Sequence, residues 1–137
     1  MAEFQRALGL NPTSHEAHTG LASAYEAIGR LEDAEATYRK LIELRPNSPV
    51  PHVYLGSLYA RQARYSDAER SFRKVVELVP ENSLGYRNLG AVYHYLGRLD
   101  DAAAMMKKSL ALKPTASGYS NLGALYFFQG RYSDSVP

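Results

Sequence analysis

The sequence predicts an all-α protein made of one repeated pair of helices. Prolines recur every 34 residues, and a leucine, a small residue and a tyrosine recur between them with the same period. The four prolines are Pro12, Pro46, Pro80 and Pro114. A fixed period of this length indicates that copies of one supersecondary unit stack on each other, so we expect an elongated superhelix without a central core.

Each copy contains two apolar stripes with helical spacing. In the first copy Leu21 and Tyr25 are four residues apart, and the second stripe has the spacing i, i+4, i+7 at Ala34, Tyr38 and Leu41. Each segment of about 14 residues therefore predicts an amphipathic helix. We call the first helix of each copy helix A and the second helix B.

Small residues recur where helices A and B are expected to cross. The phased small positions are Ala22, Gly56, Gly90 and Gly123 in helix A, and Ala34, Ala68 and Ala102 in helix B. Their short side chains cannot hold two helices apart. We therefore expect close helix crossings at these positions.

The turn from helix A to helix B carries a glycine at Gly29, Gly97 and Gly130. Glycine is typical of a left-handed residue that follows a helix end. The second copy has Ala63 at this position. If the position is left-handed, we expect Ala63→Gly to raise stability by roughly 1 kcal/mol.

Charged residues and prolines mark the two ends of helix B. Aspartates fall in its first turn, where a carboxylate complements the helix dipole. They are Asp33, Asp67, Asp101 and Asp134. The periodic prolines are expected to end helix B, and Pro49 and Pro51 suit the first turn of the next helix A.

The pattern resembles the tetratricopeptide repeat (TPR) family, which has a 34-residue period and an aromatic, Leu-Gly, Tyr, Ala, Phe, Pro signature. The resemblance covers essentially the whole chain and implies a helix-turn-helix solenoid with a right-handed α-α superhelix. The departures are His18 and His52, in place of a large first residue, and Met106, in place of the aromatic.

The repeats divide the chain into five segments. We assign residues 1–14 to helix B of a preceding partial repeat, 15–48, 49–82 and 83–115 to three repeats, and 116–137 to a truncated fourth. The third repeat is one residue short after Pro114. We expect the chain to be a fragment of a longer array whose uncovered ends associate end to end.

Composition agrees with a soluble, all-helical chain, for which we expect a cytoplasmic location. The chain is 45% apolar and 22% charged, with no cysteine and no long apolar run. These values predict neither a membrane-spanning helix nor thiol chemistry. No signal peptide is visible.

The TPR resemblance implies that helix A of each copy lines a concave face with its second, fifth, sixth, ninth and twelfth residues. We therefore predict a peptide-binding groove that includes Val53, Ser57, Arg87, Asn88, His94, Ser120, Asn121 and Phe127. Both asparagines occupy the sixth position, where an amide can hydrogen-bond to an extended peptide backbone. Alternatively, they bond to a neighbouring helix.

Two further features of the expected groove can be interpreted from the sequence. His94, Tyr95, Phe127 and Phe128 form an aromatic patch for a ligand side chain, unless Tyr95 and Phe128 pack against the following repeat. Some TPR domains grip a terminal carboxylate with lysine, arginine and asparagine. Only one of the five matching positions fits here, so we do not expect that function.

Enzyme and nucleic-acid functions find little support. His15 and His18 are three residues apart, whereas the zinc-protease motif needs four, and no phosphate loop appears. We predict no catalytic residue, cofactor or metal.

Basic pairs recur on helix B at Arg39 and Lys40, Arg73 and Lys74, and Lys107 and Lys108. A glutamate four residues earlier balances the first two pairs, so we expect no nucleic-acid partner.

Two classes of function remain. The first is a non-catalytic scaffold that binds a protein or peptide segment on its concave face. The second is an accessory or regulatory region of a larger signalling enzyme, such as a kinase, a cyclase or a glycosyltransferase.

Overall fold

The computed structural model describes Arg6 and residues 15–128, and this part of the chain is entirely helical apart from turns. Residues 15–128 form seven helices: α1 (His15–Ala27), α2 (Leu31–Leu44), α3 (Val50–Arg61), α4 (Tyr65–Leu78), α5 (Ser83–Tyr95), α6 (Leu99–Leu112) and α7 (Ala116–Phe128). The predicted all-α repeat fold is therefore confirmed. None of the described helices is long and apolar enough to cross a membrane.

Each helix packs mainly against its neighbours in sequence. The pairs α1–α2, α3–α4 and α5–α6 make the most extensive contacts, and each B helix also packs on the next A helix. The core consequently runs along the stack, with Tyr38 and Leu41 among its fully buried side chains. This is the arrangement expected of units that bury their apolar stripes only by stacking.

The phased small residues lie at close crossings, as predicted. Ala34, Ala68 and Ala102 are each 0% exposed. A Cβ atom added to Gly56 would lie 2.8 Å from Cζ of Phe72, and one added to Gly90 would lie 3.2 Å from Cγ of Met106. The period therefore marks positions where the packing of two helices leaves little room for a larger side chain.

The turns between helices A and B share one geometry. Gly29 and Gly97 have φ angles of 79° and 77°, and Ala63 has a φ of 58°. Ala63 is thus left-handed, as the sequence comparison suggested. The amide of Arg64 donates to the carbonyl of Tyr59 at 2.9 Å, which closes the helix end. Gly130 lies outside the described residues.

An arginine follows each of these turns and ties neighbouring helices together. The Nε atoms of Arg30, Arg64 and Arg98 donate to the aspartate three residues later at 2.7, 3.0 and 2.9 Å. Arg64 also pairs with Glu35 at 3.1 Å, and Arg98 with Glu69 at 3.0 Å. These contacts link one B helix to the next.

The aspartates therefore have a second role. Asp33, Asp67 and Asp101 lie in the first turn of helix B, as predicted. Each also fixes the arginine at the turn. Asp134 lies outside the described residues.

The helix ends follow the proline pattern. The B helices end at Leu44, Leu78 and Leu112, each two residues before a periodic proline. Pro49 is the N-cap residue of α3, and Pro51 lies in its first turn. Pro12 and Pro137 lie outside the described residues.

Several expectations stay predictions. They are the five segment boundaries, the cytoplasmic location, the end-to-end association and the alternative role as an accessory region of a larger enzyme. The first segment, apart from Arg6, and residues 129–137 lie outside the part of the chain that the structure describes.

Candidate functional site

A groove of about 230 Å³ lies between the A helices α3 and α5. Helix α3 contributes Ser57, Ala60 and Arg61 to its lining, and α4 contributes Phe72. From α5 come Asn88, Ala91, Val92 and Tyr95. Phe72 and Val92 are 3% and 2% exposed, so the floor of the groove is part of the apolar core.

The polar groups of the groove are few and close to this floor. Ser57 and Asn88 are half-buried. The amide of Asn88 makes no hydrogen bond to another described residue, so both its donor and its acceptor are available to a ligand. Apolar floors with a small number of polar groups are typical of binding sites.

Arg61 stands at the rim of the groove and connects it to the first helix pair. Its guanidinium pairs with the carboxylate of Glu26 on α1. That carboxylate also accepts a hydrogen bond of 2.6 Å from the Tyr38 hydroxyl. Burial raises the pKa of Tyr38, and the neighbouring Glu26 reinforces the effect. Tyr38 therefore remains a neutral donor, and the cluster closes the space between α1 and α3.

Tyrosines of α3 and α5 each stack on a tyrosine of a B helix. Tyr54 stacks on Tyr38 with ring centroids 5.5 Å apart. Tyr95 stacks on Tyr65 at 4.9 Å with the rings 2° from parallel, and it stays 67% exposed. Tyr95 therefore packs against α4 of the preceding helix pair. Its packing against the following repeat stays a prediction.

The structure brings only some of the predicted groove residues together. Ser57 and Asn88 line the same groove. Val53 lies one turn before Ser57 on the same face of α3, outside the lining of this groove, and packs partly buried against the hydrophobic core. The remaining predicted residues are exposed on α5 or α7, outside the lining of the groove: Arg87, His94, Ser120, Asn121 and Phe127.

The sequence left open whether the side-chain amides of Asn88 and Asn121 bond to a ligand or to a neighbouring helix. Asn121, like Asn88, makes no hydrogen bond to another described residue. Asn121 is exposed on α7, whereas Asn88 is half-buried in the groove. Within residues 15–128, neither amide is bonded to a neighbouring helix. Asn88 is the better placed of the two for a ligand.

The structure describes the side chains of three of the four residues of the predicted aromatic patch. The rings of His94 and Tyr95 lie 5.9 Å apart in a tilted arrangement. Phe127 is 64% exposed on α7. The side chain of Phe128 lies outside the part of the chain that the structure describes.

The sequence prediction omitted Arg61 from the groove and did not include Tyr95 among its site residues. Both hold the thirteenth position of their copies, one residue beyond the last inward position that the resemblance assigns. The thirteenth residue lies four residues after the ninth, so it belongs to the same helical face. Extending the helical stripe by one residue would have found both side chains.

The basic pairs on the B helices are balanced by neighbours. Arg39 and Arg73 pair with the glutamates four residues earlier at 3.9 and 3.0 Å, as predicted. Lys107 lies 5.0 Å above the ring of Tyr126, and Lys108 lies 5.2 Å above that of Tyr86. The third pair has Ala103 in place of the glutamate, and both of its lysines contact aromatic faces.

The described residues contain no group of three histidine, aspartate or glutamate side chains that converge for a metal ion. His18 is 7% exposed on α1 and packs among core residues. Its repeat position is the one that His52 occupies in the next copy.

Comparison with known proteins places the chain in a family. Models of the tetratricopeptide repeat match residues 2–49 and 49–115. No curated protein matches the sequence. A crystal structure of MamA is 25% identical, with a TM-score of 0.87 over 97% of this chain and 78% of that one.

Two further structures show the same fold. MamA 41-end from Desulfovibrio magneticus RS-1 is 20% identical, with a TM-score of 0.85 over 96% of this chain and 75% of that one. The first TPR of Spaghetti (RPAP3), bound to the HSP90 peptide SRMEEVD, is 22% identical, with a TM-score of 0.75 over 82% and 90%. Repeats of this kind imply protein–protein interaction, and the chain belongs to the tetratricopeptide repeat family.

Proposed function

We propose that this protein is a non-catalytic scaffold that binds an extended peptide segment of a partner, with the groove between α3 and α5 as the anchor point. The observation that carries the proposal is the amide of Asn88, which lies half-buried beside Ser57 above an apolar floor without a hydrogen bond to another described residue.

An extended peptide presents the groups that this groove can satisfy. Its backbone offers an N–H and a C=O at each residue, and the Asn88 amide can accept from one and donate to the other. A side chain of the peptide can then enter the space above Phe72 and Val92, where burial of apolar surface favours binding. The groove therefore suits a segment with an apolar residue in an extended backbone.

The size and lining of the groove favour binding over chemistry. Its polar side chains are those of Ser57, Asn88, Arg61 and Tyr95, and this lining includes no carboxylate or imidazole. General acid–base catalysis depends mainly on such groups. The peptide bound to the first TPR of Spaghetti (RPAP3) shows that this fold can hold a peptide in another protein.

A library selection followed by matched variants tests the proposal. Peptides selected on the wild-type protein from a displayed random library are synthesised, and their affinities are measured by calorimetry. We expect Asn88→Ala to weaken binding about tenfold, because a hydrogen bond of this kind contributes about 1 kcal/mol and its loss leaves a peptide group unpaired.

Lys113→Ala serves as the matched control, because Lys113 is exposed beyond the end of α6 and away from the groove. It should bind the selected peptides like the wild type. Equal affinity of Asn88→Ala and the wild type for every selected peptide would contradict the proposed anchor. So would peptide-induced NMR shifts that leave α3 and α5 unchanged.

A further inference from the structure

A second, larger cavity lies on the opposite side of α3. It measures about 500 Å³ and is bounded by the B helices α2 and α4, with residues of α3 between them. The α3 residues in its lining are His52, Leu55 and Tyr59, whereas Ser57 and Arg61 face the peptide groove. At about 100° per residue these two sets lie on opposite faces of the helix. The cavity is therefore separate from the proposed peptide site.

His52 is the most unusual group in this lining. It is 9% exposed, and its Nε2 atom is buried without a hydrogen-bond partner. Burial lowers the pKa of His52, and the charge of Lys74 lowers it further, so the imidazole is neutral at neutral pH. A buried polar atom without a partner is costly and uncommon in native proteins. It is the kind of group that a ligand can satisfy.

Three basic side chains from the two B helices surround the same cavity. Arg39 comes from α2, and Arg70 and Lys74 come from α4. Glu43 and Asp67 are the acidic members of the lining, so basic groups exceed acidic groups by one. Such an excess in a concave site favours an anion.

Each basic group already has a partner. Arg39 donates a hydrogen bond of 2.7 Å to the hydroxyl of Tyr59, and the ion pairs of all three basic groups are either long or exposed. The Arg39 guanidinium lies 3.9 Å from Glu35, and the Lys74 ammonium lies 3.6 Å from Glu77. Arg70 pairs with Asp67 but has a side chain that is 72% exposed. Exposed ion pairs contribute little free energy, so Arg70 and Lys74 can turn toward a ligand at small cost, and Arg39 has further N–H groups beside the one that donates to Tyr59.

The positions one repeat later that correspond to this lining carry different side chains. Thirty-four residues after His52, Arg70 and Ser71 the chain has Tyr86, Ala104 and Met105. The ammonium of Lys108, which corresponds to Lys74, lies over the Tyr86 ring at 5.2 Å. The polar lining of the first cavity is therefore not required by the repeat scaffold.

We propose that the cavity between α2 and α4 binds a small phosphate monoester. The guanidinium groups of Arg39 and Arg70 suit the oxygen geometry of a phosphate, and Lys74 supplies a further charge. The organic group of the ligand rests against the apolar side chains Ile42 and Leu55, which also line the cavity. This site is independent of the proposed peptide groove.

The test uses inorganic phosphate and phenyl phosphate as probes, followed by two-dimensional NMR at an ionic strength held constant with chloride. We expect saturable shifts confined to α2, α3 and α4, and tighter binding of phenyl phosphate than of inorganic phosphate. Arg70→Ala, which introduces the residue found at position 104, should weaken binding at least about tenfold. Lys113→Ala removes one positive charge elsewhere and should leave binding unchanged.

His52→Tyr is the second variant, because Tyr86 shows that the repeat position can hold a tyrosine. We expect it to abolish binding of both probes while the protein stays folded, as judged by circular dichroism. If His52→Tyr does not fold, Arg70→Ala still decides, because Arg70 is an exposed surface residue. Shifts that do not saturate, or equal losses in Arg70→Ala and Lys113→Ala, would overturn the proposal.

A short peptide that carries phosphotyrosine separates two sources of the same phosphate group. A site for small solutes should bind phenyl phosphate at least as tightly as the peptide. Tighter binding of the peptide would contradict the proposed ligand class and assign the cavity to a phosphorylated protein segment.

Discussion

The helix pairs α3–α4 and α5–α6 have the same framework but differ at two buried positions and at the turn. Leu55, Tyr59 and Ala68 of the first pair are buried, as are the equivalent residues of the second pair: Leu89, Tyr93 and Ala102. At three other equivalent positions the pairs carry Phe72 or Met106, Ala63 or Gly97, and His52 or Tyr86. The comparison shows that one framework accommodates different residues at buried positions and at the turn between the helices.

Truncation of the large apolar residue in helix B should give the largest difference between the two pairs in the loss of unfolding free energy. Phe72 is 3% exposed and forms the floor of the peptide groove, whereas Met106 is only partly buried. We expect Phe72→Ala to cost about 3–5 kcal/mol, because truncation of a buried ring leaves a cavity. Met106→Ala should cost clearly less. Urea denaturation of both variants measures the difference, and equal losses would show that the two positions are equivalent after all.

The glycine in helix A sharpens the same comparison. A Cβ atom on Gly56 would lie 2.8 Å from the rigid Phe72 ring, whereas one on Gly90 would lie 3.2 Å from the flexible Met106 chain. We expect Gly56→Ala to lose about 1–2 kcal/mol, since overpacking outweighs the gain in helix propensity.

Gly90→Ala is the matched variant and should be nearly neutral, because methionine adapts to small changes in volume. Thermal melts of the two variants measure the contrast. A larger loss for Gly90→Ala would mean that the carbonyl of Ala102, 3.3 Å from the same Cβ atom, decides the outcome.

Exchange of alanine and glycine at the turn should change the free energy of unfolding least, with opposite signs in the two pairs. Ala63 and Gly97 are both left-handed, and a Cβ atom on Gly97 would meet nothing within 4 Å. Only backbone strain then differs. We expect Ala63→Gly to gain up to about 1 kcal/mol, because relief of the strain exceeds the added entropy of the unfolded chain.

Gly97→Ala should lose a similar amount, which provides an internal check on the strain argument. Chemical denaturation under identical conditions measures both. A loss in Ala63→Gly would show that the unfolded-state entropy of glycine outweighs the strain at this turn.

Much of the local structure followed from the sequence, because each signal acts within one helix or one turn. The left-handed turn at Gly29 and Gly97, the ends of helix B before each proline and the first-turn position of Asp67 were all predicted. The turn arginines repeat with the same period and were overlooked. Their periodicity was visible in the sequence, but the partner of Arg64 is Glu35, 29 residues earlier in the preceding B helix.

The candidate sites were less predictable, because they depend on the relative placement of several helices. The inward positions that the resemblance implies placed Ser57 and Asn88 in one groove, but they also selected Val53, which packs into the core. The ion pair of Arg61 could not be predicted from the sequence of its own copy. Its partner Glu26 lies on α1, and Glu26 in turn accepts a hydrogen bond from Tyr38 on α2.

The sequence by itself determined the helix pairs, their turns and the positions of closest approach, since a 34-residue period of apolar and small residues can be satisfied only by stacking copies of one unit. The tertiary structure decided which surface residues meet. The groove beside Asn88 and the cavity beside His52 lie between helices from adjacent copies. Their shapes depend on how a ring such as Phe72 or Tyr59 fills the space between those helices, and the periodicity alone does not specify that packing.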